Sequence, residues 1–160
     1  MSIYSDLLGS VWKVLPDSVR RLHETGGQGN FRIERHGIAR FLPFLPPAGE
    51  KISIDLRIQH NPDQERWIRT FDGVHVYKSL QKTARGAITE RIGPLSFTMT
   101  LSATSEALRY NLIGARFLGL KIPFGWLPRT VASELAEGPF VRVIVRIGDV
   151  FAYSGLVHPR

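Results

Sequence analysis

The sequence predicts a mainly β, α+β chain. Two short N-terminal helices precede a curled antiparallel meander, or barrel-like sheet, of about eight to ten strands. Three observations carry this expectation. Beyond residue 30, apolar and polar residues alternate with period two through most of the chain, the spacing of strands with one buried face. Glycine- and proline-bearing turns divide these runs at regular intervals. The connections are too short for the crossovers that parallel strands require. A meander this long must curl, and the helices would then pack against one opening or fill the concave side.

At the N-terminus, Leu7, Leu8, Val11, Trp12 and Leu15 fall on one stripe at helical spacing. An amphipathic helix is expected over residues 5–15, with Ser5 as its N-cap. Pro16 interrupts it and opens a second short helix running to His23, which offers Val19 and Leu22 to the core. Gly26-Gly27-Gln28-Gly29 reads as a loop, and it lacks the Gly-Lys-Ser/Thr ending of a phosphate-binding loop. Residues 30–36 read as a strand with Phe31 and Ile33 on one face. Residues 37–45 carry Ile38, Phe41, Leu42, Phe44 and Leu45 and read as a short apolar helix, ended by Pro46-Pro47-Ala48-Gly49. Core packing is the first expectation for this piece; capping a barrel mouth or touching a membrane is the second.

The clearest strand covers residues 50–60, where Ile52, Ile54, Leu56 and Ile58 alternate with Lys51, Ser53, Asp55 and Arg57. The chain is organised around the next stretch, residues 65–101. Trp67, Arg69 and Phe71 share a face and lead into Asp72-Gly73, a strong hairpin signal. Ile88, Glu90 and Ile92 share another face, and Leu95, Phe97, Met99 and Leu101 a third. Leu108, Tyr110 and Leu112 follow on one side. Residues 114–126 are rich in Gly, Phe and Leu and read as irregular or bulged chain. Residues 129–136, 140–147 and 150–157 read as closing strands. The whole is a single domain of 160 residues, with residues 1–24 helical and residues 30–158 forming the sheet.

The chain has no cysteine, which excludes disulfides, thiolate catalysis and zinc–thiolate or cysteine-ligated iron–sulfur sites. No secretory signal and no stretch of transmembrane length is visible, so the cytoplasm is the default expectation. Lys and Arg number 21 against 14 Asp and Glu, a net charge of +7. This favours polyanions. The basic residues are scattered, and no nucleic-acid-binding signature accompanies them, so nucleic acid is a disfavoured partner. Peripheral contact with an anionic membrane is compatible with the charge.

Several motifs resemble a known family. They are Leu15-Pro16 with Val19-Arg20 and Leu22-His23; Leu45 to Gly49; Trp67-Ile68-Arg69 with Phe71; Glu90 to Leu95 with Phe97; and Gly119-Leu120 with Ile122-Pro123. Together they resemble the bacterial domain of unknown function 4166, in the family's order and over nearly the whole chain. The resemblance implies no activity, cofactor or catalytic residue. It implies one candidate partner, because such domains also occur after NAD-binding domains similar to saccharopine dehydrogenase.

The chemistry legible in the residues is modest. His23, His36, His60, His75 and His158 never take the close spacing of a compact metal site, and no nucleophile elbow is present. No cofactor is implied. A sheet lined by Ile, Leu, Phe, Met and Trp can hold an apolar or lipid-like molecule in its concavity. The expected ligand-binding residues are Trp67, Arg69, Phe71, Tyr77, Glu90, Phe97, Met99 and Tyr110. Glu90 and Arg69 either pair internally or turn to solvent. For Arg69, whose stem can reach water, the solvent is the preferred expectation. A non-catalytic binding module is the leading functional expectation. The alternatives are an enzyme with Glu90 as general acid or base, helped by Tyr77 or Tyr110, and a docking domain for an oxidoreductase. Glu134 is a weaker second acid, and His23 is expected at the surface or a helix end.

Overall fold

The computed structural model describes residues 2–160, the side chain of Phe124 excepted. Helices α1 (Ile3–Leu8) and α2 (Asp17–Thr25) precede β1 (Gly27–Arg35), β2 (Gly49–Asn61), β3 (Gln64–Phe71), β4 (His75–Ala84), β5 (Ala87–Ile92) and β6 (Leu95–Ala103). The chain continues through β7 (Ala107–Phe117), β8 (Leu120–Lys121), β9 (Thr130–Glu137), β10 (Phe140–Ile147) and β11 (Phe151–Pro159). The spatial order is β6-β5-β4-β3-β2-β1-β11-β10-β9-β7, and β6 pairs back onto β7. Ten antiparallel strands therefore close into a barrel, with the two-residue β8 added on β7. Closure gives each of the ten strands a neighbour on both sides, although β9 pairs with β7 only along Ala107–Tyr110. No described helix is long and apolar enough to cross a membrane.

Alternation is what makes the interior apolar. Ile52, Ile54 and Leu56 are buried on β2, while Lys51, Ser53 and Arg57 are exposed on its other face. A membrane-spanning barrel has the reverse pattern, with an apolar outer band. The Asp72-Gly73 hairpin forms as expected, with both residues at positive φ (49° and 69°).

The helices close one end. Residues 5–15 do not form a single helix. Gly9 adopts φ 55°, so α1 stops there and a 3₁₀ turn covers Gly9–Val14. The cap is Ser2 rather than Ser5: its side chain accepts from the Tyr4 amide. Pro16 stands just before α2 instead of within its first turn. Ile3, Tyr4, Leu15, Val19 and Leu22 are buried against the barrel. Each such aliphatic burial is worth about 1.5–3 kcal/mol, enough together to hold short helices that would not persist alone.

Three further expectations are corrected. The Gly26–Gly29 run is not a loop, because β1 already begins at Gly27 and pairs there with both β2 and β11. Glycine is needed because these strands pass very close. A Cβ on Gly29 would lie 2.0 Å from the Leu156 carbonyl oxygen, and one on Gly155 2.1 Å from that of Asn30. The apolar piece at residues 37–45 is only a 3₁₀ turn, Gly37–Phe41, followed by a second turn through Pro43 and Phe44 in which the Leu45 amide donates to the Leu42 carbonyl. Ile38 and Phe41 on it are exposed, at 71% and 82%. Finally, β7 extends as far as Phe117, with a bulge at Ile113, where Leu112 and Gly114 face the successive residues Met99 and Thr98. The chain expected to be irregular or bulged from residue 114 is therefore strand up to Phe117, and the barrel strands resume at Thr130.

Gly29→Ala should therefore destabilise the barrel by about 1–3 kcal/mol, the usual range for overpacking. Gly114→Ala meets open space and should stay within about 0.5 kcal/mol of the parent. Urea unfolding of both variants checks the contrast.

Candidate functional site

The barrel encloses a cavity of about 350 Å³. Its walls are apolar and its polar groups are few, in the manner of small-molecule pockets. Tyr4 and Leu22 from the helical plug form its floor, and it extends to the opposite end of the barrel, where the exposed Ile38 and Pro128 line it. Between them the wall is built by Ile54, Phe71, Phe97, Met99, Leu112 and Phe151. All eight ligand-binding residues expected from the sequence (Trp67, Arg69, Phe71, Tyr77, Glu90, Phe97, Met99 and Tyr110) line this one cavity.

Arg69 does not turn to solvent. Its Nη2 donates to Glu90 Oε1 at 3.1 Å, and its Nη1 donates to Ser79 Oγ at 2.8 Å. The side chains of the pair are only 16% and 15% exposed. Antiparallel registry explains the meeting: Arg69 faces Tyr77 across β3–β4, and Glu90 faces Gln81 across β4–β5. An inward Arg on one strand and an inward Glu two strands away thus reach each other across β4. The guanidinium also lies 5.2 Å from the Trp67 ring centroid, within cation–π range. Burial alone would push the Arg69 guanidinium down. The adjacent Glu90 carboxylate, with smaller contributions from Tyr153 and Tyr4, outweighs that and holds it above its ordinary value.

A second polar cluster joins plug to wall. His23 stands in the last turn of α2, one of the two expected positions, but it is fully buried rather than at the surface. Its Nε2 donates to Glu134 Oε2 at 2.6 Å, and Tyr110 Oη donates to Glu134 Oε1 at 2.9 Å. The His23 ring lies among Tyr4, Trp12 and Trp67, with centroids 4.0, 6.0 and 5.2 Å away, and its Nδ1 has no hydrogen-bond partner. Tyr4 Oη donates to Gln81 Oε1 at 2.9 Å.

Sequence reasoning missed Glu65, Tyr4, Gln81, Tyr153 and Arg35. Glu65 is fully buried at the plug. Its Oε1 accepts from Ser2 Oγ at 2.7 Å, the Ile3 amide at 2.9 Å and His60 Nδ1 at 2.9 Å; its Oε2 accepts from Trp67 Nε1 at 3.1 Å. The available signal was that Glu65 shares the face of Trp67, Arg69 and Phe71. Arg35 stands at the other end, where Nε donates to the Ala39 carbonyl at 2.8 Å and Nη2 to that of Leu42 at 2.7 Å. It fastens the 37–46 segment beside the mouth, a task suited to a side chain with five fixed donors.

The interior phenols are held protonated. Burial, then the Glu134 carboxylate, pushes Tyr4 and Tyr110 well above the usual phenol value. Burial pushes Tyr153 up to about 12, although Arg69 partly opposes it. Around neutral pH these groups are hydrogen-bond donors, not bases. Among the described residues, no group of three His, Asp or Glu side chains is close enough to hold a metal ion. No family model, curated protein or solved structure matches the chain.

Two outcomes follow. Glu65→Ala strands three buried donors and the half-buried His60 ring, and should cost roughly 3–5 kcal/mol, the range for a broken buried ionic site. Amide hydrogen exchange over Ile3–Leu8 should rise before the rest of the barrel loosens. The phenols give an alkaline signature. A folded-state value raised from the ordinary 10 to about 12 means that the folded chain keeps a proton which the unfolded chain has lost. Stability from Tyr153 is thus complete below about pH 10 and disappears as pH rises toward 12. Absorbance at 295 nm should show Tyr4, Tyr110 and Tyr153 ionising only as near-ultraviolet dichroism is lost.

Proposed function

We propose that this chain is a non-catalytic module that binds an apolar, lipid-like small molecule inside the barrel. The observation that carries the reading is the cavity of about 350 Å³, apolar in its walls and closed at one end by the helical plug. Its volume falls within the roughly 300–1,000 Å³ of ligand pockets. The polar groups are grouped rather than dispersed. Arg69, Glu90 and Tyr153 act on one another electrostatically, while Phe71, Ile92, Leu95 and Ile147 line the part nearer the mouth. A ligand with one hydrogen-bonding head and an apolar body matches this distribution, its head at Arg69 and its body toward the opening. The protonated phenols favour binding over base catalysis. The resemblance to domain of unknown function 4166 makes a saccharopine-dehydrogenase-like oxidoreductase the candidate protein partner of such a module.

The test is native mass spectrometry of protein purified from its own host, followed by displacement of a fluorescent fatty acid. A reproducible bound compound with one polar head is expected. Removing both members of a buried ion pair is far milder than removing one. The double variant Arg69→Met/Glu90→Leu should therefore stay folded, yet lose at least about tenfold in affinity for the headed ligand, the equivalent of about 1.4 kcal/mol. It should still bind a headless hydrocarbon probe. An empty protein with no thermal shift across a lipid and acyl panel would exclude the reading. Conversion of the bound compound on incubation, abolished by Glu90→Gln, would make the chain an enzyme instead.

A further inference from the structure

The two ends of the barrel differ sharply in character. At the mouth are the segments 36–48, 72–74, 93–94, 118–129 and 148–149; at the other end are the helical plug and the remaining turns. Among the described residues, six large apolar side chains are more than 70% exposed: Ile38, Phe41, Val74, Leu118, Leu120 and Trp126. All six belong to the mouth. Leu118 is notable for its backbone as well. With Gly119 it forms a two-residue turn in which both residues have positive φ, 50° and 83°. Asn, Asp or Gly suits such a turn far better. A strained position is given to an apolar side chain that points into solvent.

Charge follows the same division. We halve each strand at its middle, leave the internal Arg69–Glu90 pair aside, and count Asp55 with its partners Arg57 and Arg160 at the plug end. The mouth half then carries ten Lys and Arg against four carboxylates, Glu34, Glu50, Asp72 and Asp149. With the buried Glu65 and Glu134 likewise left aside, the plug half carries ten against seven. The excess of cations is therefore six at the mouth and three at the plug end. Arg40, Lys121 and Arg129 are exposed beside the apolar tips.

We infer that the mouth docks onto an anionic phospholipid bilayer. Apolar tips that enter the acyl boundary, ringed by cations that meet acidic headgroups, are the two contributions that hold peripheral proteins on such surfaces. The apolar rim is continuous with the cavity, because Ile38 both stands exposed and lines it. A docked barrel would exchange ligand with the bilayer without passing it through water. In this respect the inference rests on the lipid-like ligand proposed above. A second copy fits the mouth poorly, since mouth-to-mouth contact would oppose two basic surfaces.

The test uses the full chain with extruded phosphatidylcholine vesicles, with and without phosphatidylglycerol. Co-sedimentation is expected only with the anionic vesicles and should fall at high ionic strength. Lys121→Gln and Arg129→Gln should each weaken it by about fivefold. Phe41→Ser and Trp126→Ser should weaken it while leaving the melting temperature unchanged. Trp12 and Trp67 are buried, at 8% and 4%, whereas Trp126 is 81% exposed. A blue shift on docking, absent in Trp126→Phe, therefore reports the mouth itself. Protein that stays in the supernatant, equal salt-insensitive binding to both vesicles, or binding indifferent to Phe41 and Trp126 would each overturn the inference. So would use of the same residues only for self-association or for a protein partner. A fluorescent fatty acid added without vesicles separates the two readings. If it fills the cavity while docking fails, the ligand reading stands alone. If vesicles bind while the cavity stays empty, docking stands and the ligand reading falls.

Discussion

The buried carboxylate of Glu65 is the constraint on which the architecture turns. A ten-stranded ring is open at both ends, and apolar side chains lining it would face water from two directions. Glu65 gathers the Ser2 hydroxyl, the Ile3 amide, the His60 ring and the Trp67 indole on two oxygens. It thereby ties the start of the chain to the wall of the barrel. An unpaired carboxylate there would be costly, so the site is stable only with α1 in place. The negative charge at the first turn of α1 also suits the helix dipole. From this tie follow the burial of Tyr4 and Leu22, the meeting of His23 with Glu134, and a container with one closed end.

The same logic explains how so many polar groups can live inside an apolar barrel. Several are matched by a partner from a different element: Arg69 with Glu90 and Ser79, Tyr4 with Gln81, Tyr110 with Glu134. Matched groups leave the remaining surface of the cavity apolar. The Arg69–Glu90 and Tyr110–Glu134 pairs also fix the barrel's shape, because they span strands whose spacing is set by the ladder, while Tyr4–Gln81 ties α1 to β4. His23 Nδ1 has no partner.

The strand faces were legible in the sequence because period-two alternation is a local property. Ile52 to Ile58 and Leu95 to Leu101 were correctly assigned to one face each, and so were the cavity residues they include. What was not legible depended on registry between strands or on the plug. The Arg69–Glu90 pair was one of two expectations, and solvent was preferred for Arg69 because strand faces alone do not give the registry that brings the two side chains together across β4. The Gly26–Gly29 run looked like a loop because glycine there answers to the close passage of Leu56 and Leu156, which are distant in sequence. The burial of His23, in the last turn of α2, was not legible because nothing local says that α2 turns this face onto the barrel floor.

The helices decide the polarity of the molecule as much as its closure. Plugging one end turns apolar side chains inward there, and Phe140, Val11 and Val14 are the only large apolar residues of that half that remain exposed among those described. The mouth has no comparable cover, and its turns carry apolar tips where glycine-rich hairpins ordinarily place polar residues. Folding alone does not require this, since a polar residue at Leu118 or Phe41 would disturb no buried contact. Exposed apolar surface of this extent lowers solubility, and selection for stability would remove it. Its retention beside a cluster of cations is a property of the surface that the mouth meets.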